Sequence, residues 1–104
     1  MKKKITVSIG IPAYNEEKNI RNLLGDVLGQ KQRRWQLKEI IIYSDGSTDR
    51  TVTLANQIES PFIKIVTQEV RRGKPLCVNE IIRNTKGEII VLFDADVRLA
   101  GKNV

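Results

Sequence analysis

Near its start the chain has apolar residues that alternate with small or polar ones, which is the spacing of a β-strand. These residues are Ile5, Val7, Ile9 and Ile11, and the predicted strand stops at Pro12. The next segment has apolar residues three or four positions apart, which is one face of a helix. They are Ile20, Leu23, Leu24, Val27 and Leu28. We expect Asn15 to cap this helix, with Glu16 and Glu17 in its first turn, where the helix dipole favours negative charge.

The remaining apolar segments predict three more strands and two more helices in alternation. The expected ranges are Glu39–Tyr43, Phe62–Thr67 and Ile89–Phe93 for the strands, Asp49–Ile58 for the second helix, and a third helix that follows the stretch RRGK and ends at Gly87. The last strand is apolar without interruption, which is typical of a strand covered on both faces. Such alternation predicts a parallel sheet with right-handed crossovers.

The fold class that follows is α/β, as one Rossmann-like domain over residues 1–104 with three α/β/α layers and a mainly parallel four-stranded sheet. If the third crossover returns the chain to the other side of the first strand, the strand order is 3-2-1-4. Sheets of this kind bind ligands beyond the carboxyl ends of their strands, where the winding direction reverses. The loops expected there contain PAYNEE, SDGSTD and DADV, which are all rich in side-chain oxygen.

Composition limits the chemistry that the chain can perform. One cysteine, Cys77, and no histidine exclude an intramolecular disulfide and the usual zinc ligand sets, so a metal would have to be held by oxygen. No apolar run approaches the roughly 20 residues that span a bilayer. We therefore expect no membrane contact from this segment and a cytoplasmic location. A longer form of the protein could associate with the cytoplasmic side of a membrane.

The net charge of +6 suggests a nucleic-acid partner, but its distribution argues against one. Residues 1–52 hold ten Lys or Arg against six acids, and residues 53–104 hold eight against six, so neither half is a basic arm. The five aromatic residues are not interleaved with the cations, which disfavours stacking on single strands. We expect no nucleic-acid partner. A nonenzymatic α/β module that binds nucleic acid stays open as an alternative, and it would use Arg33, Arg34, Arg71 and Arg72.

Paired aspartates stand at two of the predicted strand ends. Asp45 follows a buried strand and could accept a hydrogen bond from the ring N–H of a base. Asp49 has a local explanation at the start of the second helix, and Gly46 has one as a turn residue. Asp94 and Asp96 flank a single alanine, so both can leave the strand end toward one side. Two carboxylates so close repel each other unless a cation, preferably a hard divalent ion, neutralises them.

Together these segments resemble a known family. IGIPAYNEEKNI, YSDGSTDRT and RRGKPLCVNEIIRNTKGEIIVLFDADV resemble, in order and spacing, the nucleotide-binding half of the inverting family 2 glycosyltransferases of the GT-A fold, over about Ile5 to Val97. The resemblance implies a metal-dependent glycosyltransferase of the hexosyltransferase type. Such an enzyme takes a sugar from a nucleotide-diphosphate sugar, with a UDP-sugar as first candidate, and passes it to an acceptor that is unknown here. It also implies a Mn²⁺ or Mg²⁺ ion that bridges the donor phosphates and neutralises the leaving group.

The resemblance assigns one group of residues to the nucleoside. Pro12, Ala13 and Tyr14 would shape the wall of the base pocket, with Glu16 near the nucleoside. Asp45 would meet the edge of the base, for which uracil is the commonest choice in the family.

A second group of residues is assigned to the rest of the donor. Lys74 would lie by the nucleotide, Asp94 near the ribose, and Asp96 would ligate the metal. Ser44 departs from the family pattern, because many relatives have aspartate there. An inverting transfer also needs a general base, which in the family lies in a second half that would follow DADV. We therefore expect a donor-binding fragment that is inactive in isolation, with no catalytic residue of its own.

Two further expectations concern an enzymatic alternative and the oligomeric state. A sugar-1-phosphate nucleotidyltransferase also combines a Rossmann-like sheet with acidic metal ligands. Its first strand usually leads into a glycine-rich, basic phosphate loop, which PAYNEE is not.

The fourth strand would be a sheet edge without a protecting proline, bulge or inward charge. We therefore expect a homo-oligomer formed through the strand 4 edge.

Overall fold

The computed structural model describes residues 3–104, which form a four-stranded parallel sheet flanked by helices. The strands are β1 (Ile5–Ala13), β2 (Trp35–Asp45), β3 (Ile63–Gln68) and β4 (Ile89–Leu92), and the helices are α1 (Ile20–Leu28), α2 (Thr51–Asn56) and α3 (Lys74–Asn84). The strand order β3-β2-β1-β4 confirms the predicted topology. Because β1 pairs with β2 on one side and with β4 on the other, the winding direction reverses at β1. Within residues 3–104 no helix has the length and apolar character needed to cross a bilayer.

The main hydrophobic core lies between the sheet and the helices α1 and α2. Its members are Val7, Ile9, Ile11, Ala13, Ile20, Leu23, Leu24, Val27, Leu37, Ile40, Ile42, Leu54, Ala55 and Ala95. Alternate residues of β1 point to the other face, where α3 packs against β1 and β2. Of the α3 residues only Cys77 and Ile81 are buried there. The helical spacing of α1 and the alternation of β1 thus place their apolar faces as the sequence predicts.

β1 continues through Pro12 to Ala13, beyond the end predicted for it. Pro12 still lies opposite Tyr43 of β2, whereas the pairing of β1 with β4 ends at Gly10 and Leu92. Proline lacks a backbone N–H and is tolerated where a strand no longer has neighbours on both sides. The prediction that the strand stops at Pro12 was therefore wrong by one residue.

α1 begins at Ile20, and Asn15 is not its cap. Asn15 has a φ of 50°, which is not helical, and its Oδ1 accepts hydrogen bonds from the backbone N–H groups of Thr48 at 2.8 Å and Asp49 at 3.3 Å. Glu16 consequently lies in a separate turn, where its carbonyl oxygen accepts the N–H of Ile20 at 2.9 Å. Residues 15–17, predicted as the start of the helix, thus belong to the loop between β1 and α1, and hydrogen bonds join this loop to the one that follows β2.

Gly87 does not end α3, which stops at Asn84. A Cβ at Gly87 would lie 2.6 Å from Ser8 Oγ, and the Gly87 N–H donates to that oxygen at 2.8 Å. Glycine is needed here because the chain passes so close to β1. Other boundaries also moved: β2 begins at Trp35 instead of Glu39, and α2 is limited to Thr51–Asn56.

Candidate functional site

The carboxyl ends of β1, β2 and β4 lie at one edge of the sheet, where a cavity of about 300 Å³ opens. All the site residues proposed from the sequence line this cavity, together with Arg71, Cys77 and Ala95, which were not proposed. The proposed residues are Pro12, Ala13, Tyr14, Glu16, Asp45, Lys74, Asp94 and Asp96. The topology therefore gathers residues from both ends of the chain into one site.

Asp45, the last residue of β2, is the most buried carboxylate of the cavity, with 4% of its surface exposed. Its Oδ1 accepts hydrogen bonds from the Arg72 N–H at 2.8 Å and from Gln68 Nε2 at 2.5 Å, and its Oδ2 accepts the Gly73 N–H at 2.8 Å. Burial acts to raise the pKa of Asp45, but these hydrogen bonds outweigh it and hold the pKa below its ordinary value. Asp45 is thus an ionised group that holds the basic segment Arg71–Lys74 in place.

Gly46 allows this basic segment to approach the end of β2. Its φ is 71°, and an added Cβ would lie 2.7 Å from the Arg71 backbone nitrogen. The Gly46 N–H also donates to the Gln68 carbonyl oxygen at 2.9 Å. The glycine that the sequence indicates as a turn residue therefore has a packing role as well.

Tyr14 and Arg71 form the aromatic and cationic side of the cavity. The guanidinium carbon of Arg71 lies 3.9 Å from the centroid of the Tyr14 ring, which is the geometry of a cation–π contact. Tyr14 remains 40% exposed, so part of its ring is accessible. A ring and a guanidinium arranged in this way can stack with a base and donate hydrogen bonds to its carbonyl oxygens. The only sequence signal for Arg71 was its place in the basic stretch RRGK.

Lys74, the first residue of α3, forms an ion pair with Asp94, which follows β4. Their side chains are 60% and 57% exposed, so water screens the pair and it contributes little to stability. A weak pair of this kind can exchange partners readily. A phosphate group could replace Asp94 as the partner of Lys74, and a cation could replace Lys74 as the partner of Asp94.

Asp94 and Asp96 lie on a turn closed by the Val97 N–H, which donates to the Asp94 carbonyl oxygen at 3.1 Å. Ala95 is 2% exposed and belongs to the core, so that the two flanking aspartates are exposed and line the cavity. Carboxylate oxygens fit Mn²⁺ or Mg²⁺, which bind to one or two carboxylates together with water and substrate phosphates. Within residues 3–104 no group of three or more His, Cys, Asp or Glu side chains could hold a metal ion. Water and the ligand would therefore have to complete the coordination.

Cys77 lies beneath the cavity and is fully buried. Burial first, and then the charge of the neighbouring Asp45, raise the pKa of the Cys77 thiol to about 11. The thiol therefore stays protonated at neutral pH, and a protonated, buried thiol is a poor nucleophile. Cys77 is a structural neighbour of Asp45.

The loops that follow β1 and β2 are joined by hydrogen bonds. The Glu16 N–H donates to Thr51 Oγ1 at 2.8 Å, and the Glu17 N–H donates to Asp49 Oδ2 at 3.2 Å. Asp49 Oδ1 also accepts the Thr51 N–H at 2.9 Å, but α2 begins at Thr51 and its capping position is Arg50, so Asp49 precedes the helix and the prediction that it lies in the helix start was wrong. Asp49 thus supports the loop that carries Glu16 and does not itself line the cavity.

Comparison with known proteins finds relatives over most of the chain. The sequence profile of the family described as "Glycosyl transferase family 2" matches residues 8–103. The chain is 33% identical over 99 residues to the dolichyl-phosphate beta-glucosyltransferase ALG5A of Trichomonas vaginalis, which covers 88% of this chain and 31% of that protein.

Solved structures of glycosyltransferases also match the fold. One is the mannosyltransferase PcManGT from Pyrobaculum calidifontis in complex with GDP-Man and Mn²⁺, with a TM-score of 0.84 and 29% identity over 96% of this chain and 30% of that one. Another is TarS from S. aureus in complex with UDP-GlcNAc, with a TM-score of 0.79 and 26% identity over 88% of this chain and 27% of that one. The chain spans less than a third of the length of each of these relatives.

Proposed function

The chain belongs to glycosyl transferase family 2 and has the fold of the GT-A enzymes, and we propose that its cavity binds a nucleotide-diphosphate sugar, with a UDP-sugar as first candidate. One observation carries the proposal: residues from β1, from β2, from the start of α3 and from the end of β4 line a single cavity that combines an aromatic ring, cations and carboxylates. The bound GDP-Man and UDP-GlcNAc of the two similar structures support a donor of this class. The family also favours sugar transfer over the nucleotidyltransferase alternative.

We assign the base to the space beside Tyr14, against the wall formed by Pro12 and Ala13, with Glu16 near the nucleoside. Asp45 lines the cavity, although N–H donors of Gln68, Arg72 and Gly73 already reach its two carboxylate oxygens. A carboxylate oxygen can accept more than one hydrogen bond, so Asp45 could also accept the ring N–H of uracil or guanine. Cytosine and adenine have no such N–H, so the assignment predicts discrimination against them.

We assign the phosphates and the metal to the opposite side of the cavity. Lys74 would exchange Asp94 for the diphosphate, and Asp94 would then lie near the ribose. Asp96 would ligate Mn²⁺ or Mg²⁺, which, when bound, neutralises the charge that develops on the leaving diphosphate. The Mn²⁺ of the similar mannosyltransferase structure supports this assignment.

Calorimetry with matched nucleotides tests the proposal. We expect UDP to bind with a Kd on the order of 0.1 to 1 mM and more tightly with Mn²⁺. CDP lacks the ring N–H of UDP and has an amino group in place of one carbonyl oxygen. We expect it to bind about tenfold more weakly, because the hydrogen bond to the charged Asp45 is lost. Asp96→Ala should abolish the metal dependence alone, whereas Asp45→Ala should weaken binding with and without metal. Folded protein that gives no heat with millimolar UDP would contradict the proposal, and equal binding of UDP and CDP would contradict the base assignment alone.

We further propose that this chain binds the donor without completing the transfer. Inverting transfer needs a general base, and each carboxylate of the cavity has another assignment: Asp45 holds the basic segment, Asp94 pairs with Lys74, Asp96 ligates the metal and Glu16 faces the nucleoside. UDP-GlcNAc and GDP-Man incubated with the protein should therefore remain intact. Turnover that disappears in Asp96→Ala would show that the base lies within this chain.

We also propose that two copies associate through β4. Among residues 3–104 this strand pairs with β1 alone, and its Ile89, Ile90 and Leu92 are 46%, 36% and 41% exposed. On the α1 side, Ile89, Val91 and Phe93 border an apolar cavity of about 470 Å³. A second copy that pairs β4 with β4 about a two-fold axis would satisfy the strand edge and cover this apolar surface.

A further inference from the structure

The segment 93–99, which carries Asp96, is attached to α1 at its C-terminal end by an ion pair. Asp26 of α1 accepts hydrogen bonds from Arg98 Nε at 2.7 Å and Arg98 Nη2 at 3.1 Å, and also from the Leu99 N–H at 3.0 Å. The carboxylate is the more enclosed partner, with a side chain 16% exposed against 62% for Arg98. Neither Asp26 nor Arg98 belongs to the lining of the cavity.

The N-terminal end of the segment 93–99 is attached to β1. The Phe93 N–H donates to the Gly10 carbonyl oxygen at 2.9 Å. Ala95 inserts into the core between the two attachments, and the turn from Asp94 to Val97 is closed by its own hydrogen bond. Asp96 is therefore an exposed side chain on a turn that β1 fixes on one side and α1 on the other.

We propose that Asp26 and Arg98 are positioning residues for Asp96, because they hold the turn that carries this carboxylate without touching the metal or the donor. The inference rests on the proposed function for the role of Asp96 as metal ligand, and on the observed hydrogen bonds for the rest. A ligand on a mobile turn loses conformational freedom when it binds a cation, and a ligand on a fixed turn loses less. Release of the turn from α1 should thus weaken metal binding.

Two substitutions, taken together, separate positioning from simple electrostatics, because the two explanations predict opposite changes in cation affinity for Arg98→Met. Asp26→Asn removes a negative charge, so long-range electrostatics alone predicts weaker binding of a divalent cation. Arg98→Met removes a positive charge, so electrostatics alone predicts tighter binding. Positioning predicts weaker binding for both substitutions, because each one removes hydrogen bonds from the same attachment.

The experiment measures free Mn²⁺ by electron paramagnetic resonance in the presence of UDP, together with UDP binding in the absence of metal. Partners that orient metal ligands typically change affinity by about 10- to 100-fold, and since this pair acts through the backbone we expect about a three- to tenfold increase in the Mn²⁺ Kd for both variants. UDP binding without metal should be unchanged. Glu80→Gln, which breaks the ion pair with Arg83 on α3 and changes the charge as Asp26→Asn does, should leave the Mn²⁺ Kd unchanged.

Amide hydrogen exchange of the metal-free protein provides a readout that does not depend on metal. The Val97 N–H, which closes the turn, should exchange faster in Asp26→Asn and in Arg98→Met than in the wild type. Unchanged exchange in both variants would overturn the inference, and so would Mn²⁺ binding in Arg98→Met that equals or exceeds the wild type. Either result would leave the proposed function standing. Failure of the wild type to bind Mn²⁺ would overturn the metal assignment of Asp96 and this inference together.

Discussion

Two buried carboxylates of β2, Glu39 near its middle and Asp45 at its end, fix neighbouring segments of the chain by accepting hydrogen bonds. Glu39 has no exposed surface and accepts hydrogen bonds from Ser8 Oγ at 2.7 Å, the Lys86 N–H at 2.5 Å and Lys64 Nζ at 3.0 Å. Asp45 accepts the N–H groups of the basic segment in a similar way. Each carboxylate fixes a connection that enters α3 or leaves it, but only Asp45 lines the cavity. A buried acid in this fold is therefore no evidence of a site unless the topology places it at the carboxyl edge of the sheet.

Glu39 makes the stability of the fold depend on pH. Burial acts to raise the pKa of Glu39, but the hydrogen bonds from Ser8, Lys86 and Lys64 outweigh it, so the pKa lies below its ordinary value of 4.5. Since the folded pKa is the lower one, the stabilisation is complete above the pKa of the unfolded chain and is lost as the pH falls through the folded pKa. We expect Glu39→Gln to lower the free energy of unfolding at neutral pH by about 2 kcal/mol, because hydrogen bonds to a charged acceptor are lost, and to lower it less in acid.

Urea unfolding at a series of pH values measures this effect. Glu59→Gln is the matched control, since Glu59 is exposed and the change of charge is the same. It should change the free energy of unfolding by less than about 0.5 kcal/mol at any pH. If Glu39→Gln and Glu59→Gln gave equal stability at neutral pH, the ionised Glu39 would not be a stabilising group.

At the scale of elements, the connection between β3 and α3 takes its conformation from the end of β2. Its residues are exposed, apart from the half-buried Gly73. The contacts that hold it come from Asp45, which accepts two of its N–H groups, and from Gly46, which leaves room for its backbone. The position of Arg71 over Tyr14 therefore depends on β2 and not on the basic segment alone.

Gly46→Ala tests this dependence. A side chain at a φ of 71° costs about 1 to 2 kcal/mol, and the contact at 2.7 Å with the Arg71 nitrogen adds to it. We expect a less stable protein that also binds UDP more weakly, because Arg71 is displaced from Tyr14. Urea unfolding and calorimetry measure the two effects.

Gly25→Ala provides the matched control within α1. A Cβ at Gly25 meets nothing within 4 Å, so alanine should raise the free energy of unfolding by about 0.5 to 1 kcal/mol and leave UDP binding unchanged. Wild-type UDP affinity in Gly46→Ala would mean that the basic segment keeps its position without support from β2.

At the scale of the whole molecule, the exposed edge of β4 predicts self-association. Burial of a few hundred Å² of apolar surface at about 25 cal/mol per Å² supplies several kcal/mol, against which the entropic cost of association must be set. The net charge of +6 opposes the contact of two copies, so added salt should strengthen it. We expect light scattering to show a dimer that Ile90→Lys converts to a monomer.

Val70→Lys is the control for this prediction. Val70 is 72% exposed, and it lies in the connection between β3 and α3, away from β4. The substitution adds the same charge to the molecule and should leave the dimer intact. A wild-type protein that stays monomeric at high concentration, or equal effects of Ile90→Lys and Val70→Lys, would contradict association through β4.

Local patterns in the sequence determined the order of elements and the general place of the site. The spacing of apolar residues depends only on helix and strand geometry, so the alternation of strands and helices and the inward face of α1 were predictable. Three parallel crossovers leave few topologies for four strands, and one of them places PAYNEE, SDGSTD and DADV at a single sheet edge. The sequence thus predicted most residues of the cavity but not Arg71, Cys77 and Ala95, and the chemical roles assigned to the predicted residues stay predictions.

Contacts between distant residues decided what the local pattern could not. Asn15, expected as a helix cap, instead accepts hydrogen bonds from the loop after β2, and Gly87, expected as a helix stop, instead fits against Ser8. Asp26 meets Arg98 across 72 positions of sequence, and Arg71 contacts Tyr14 from a loop whose backbone is held by Asp45 and packs against Gly46. A capping residue or a glycine has the same local preference wherever it occurs, and its partner is chosen by the packing of elements that lie far apart in the chain. That choice belongs to the tertiary structure because it depends on which backbone groups remain unsatisfied once the sheet and its helices have packed.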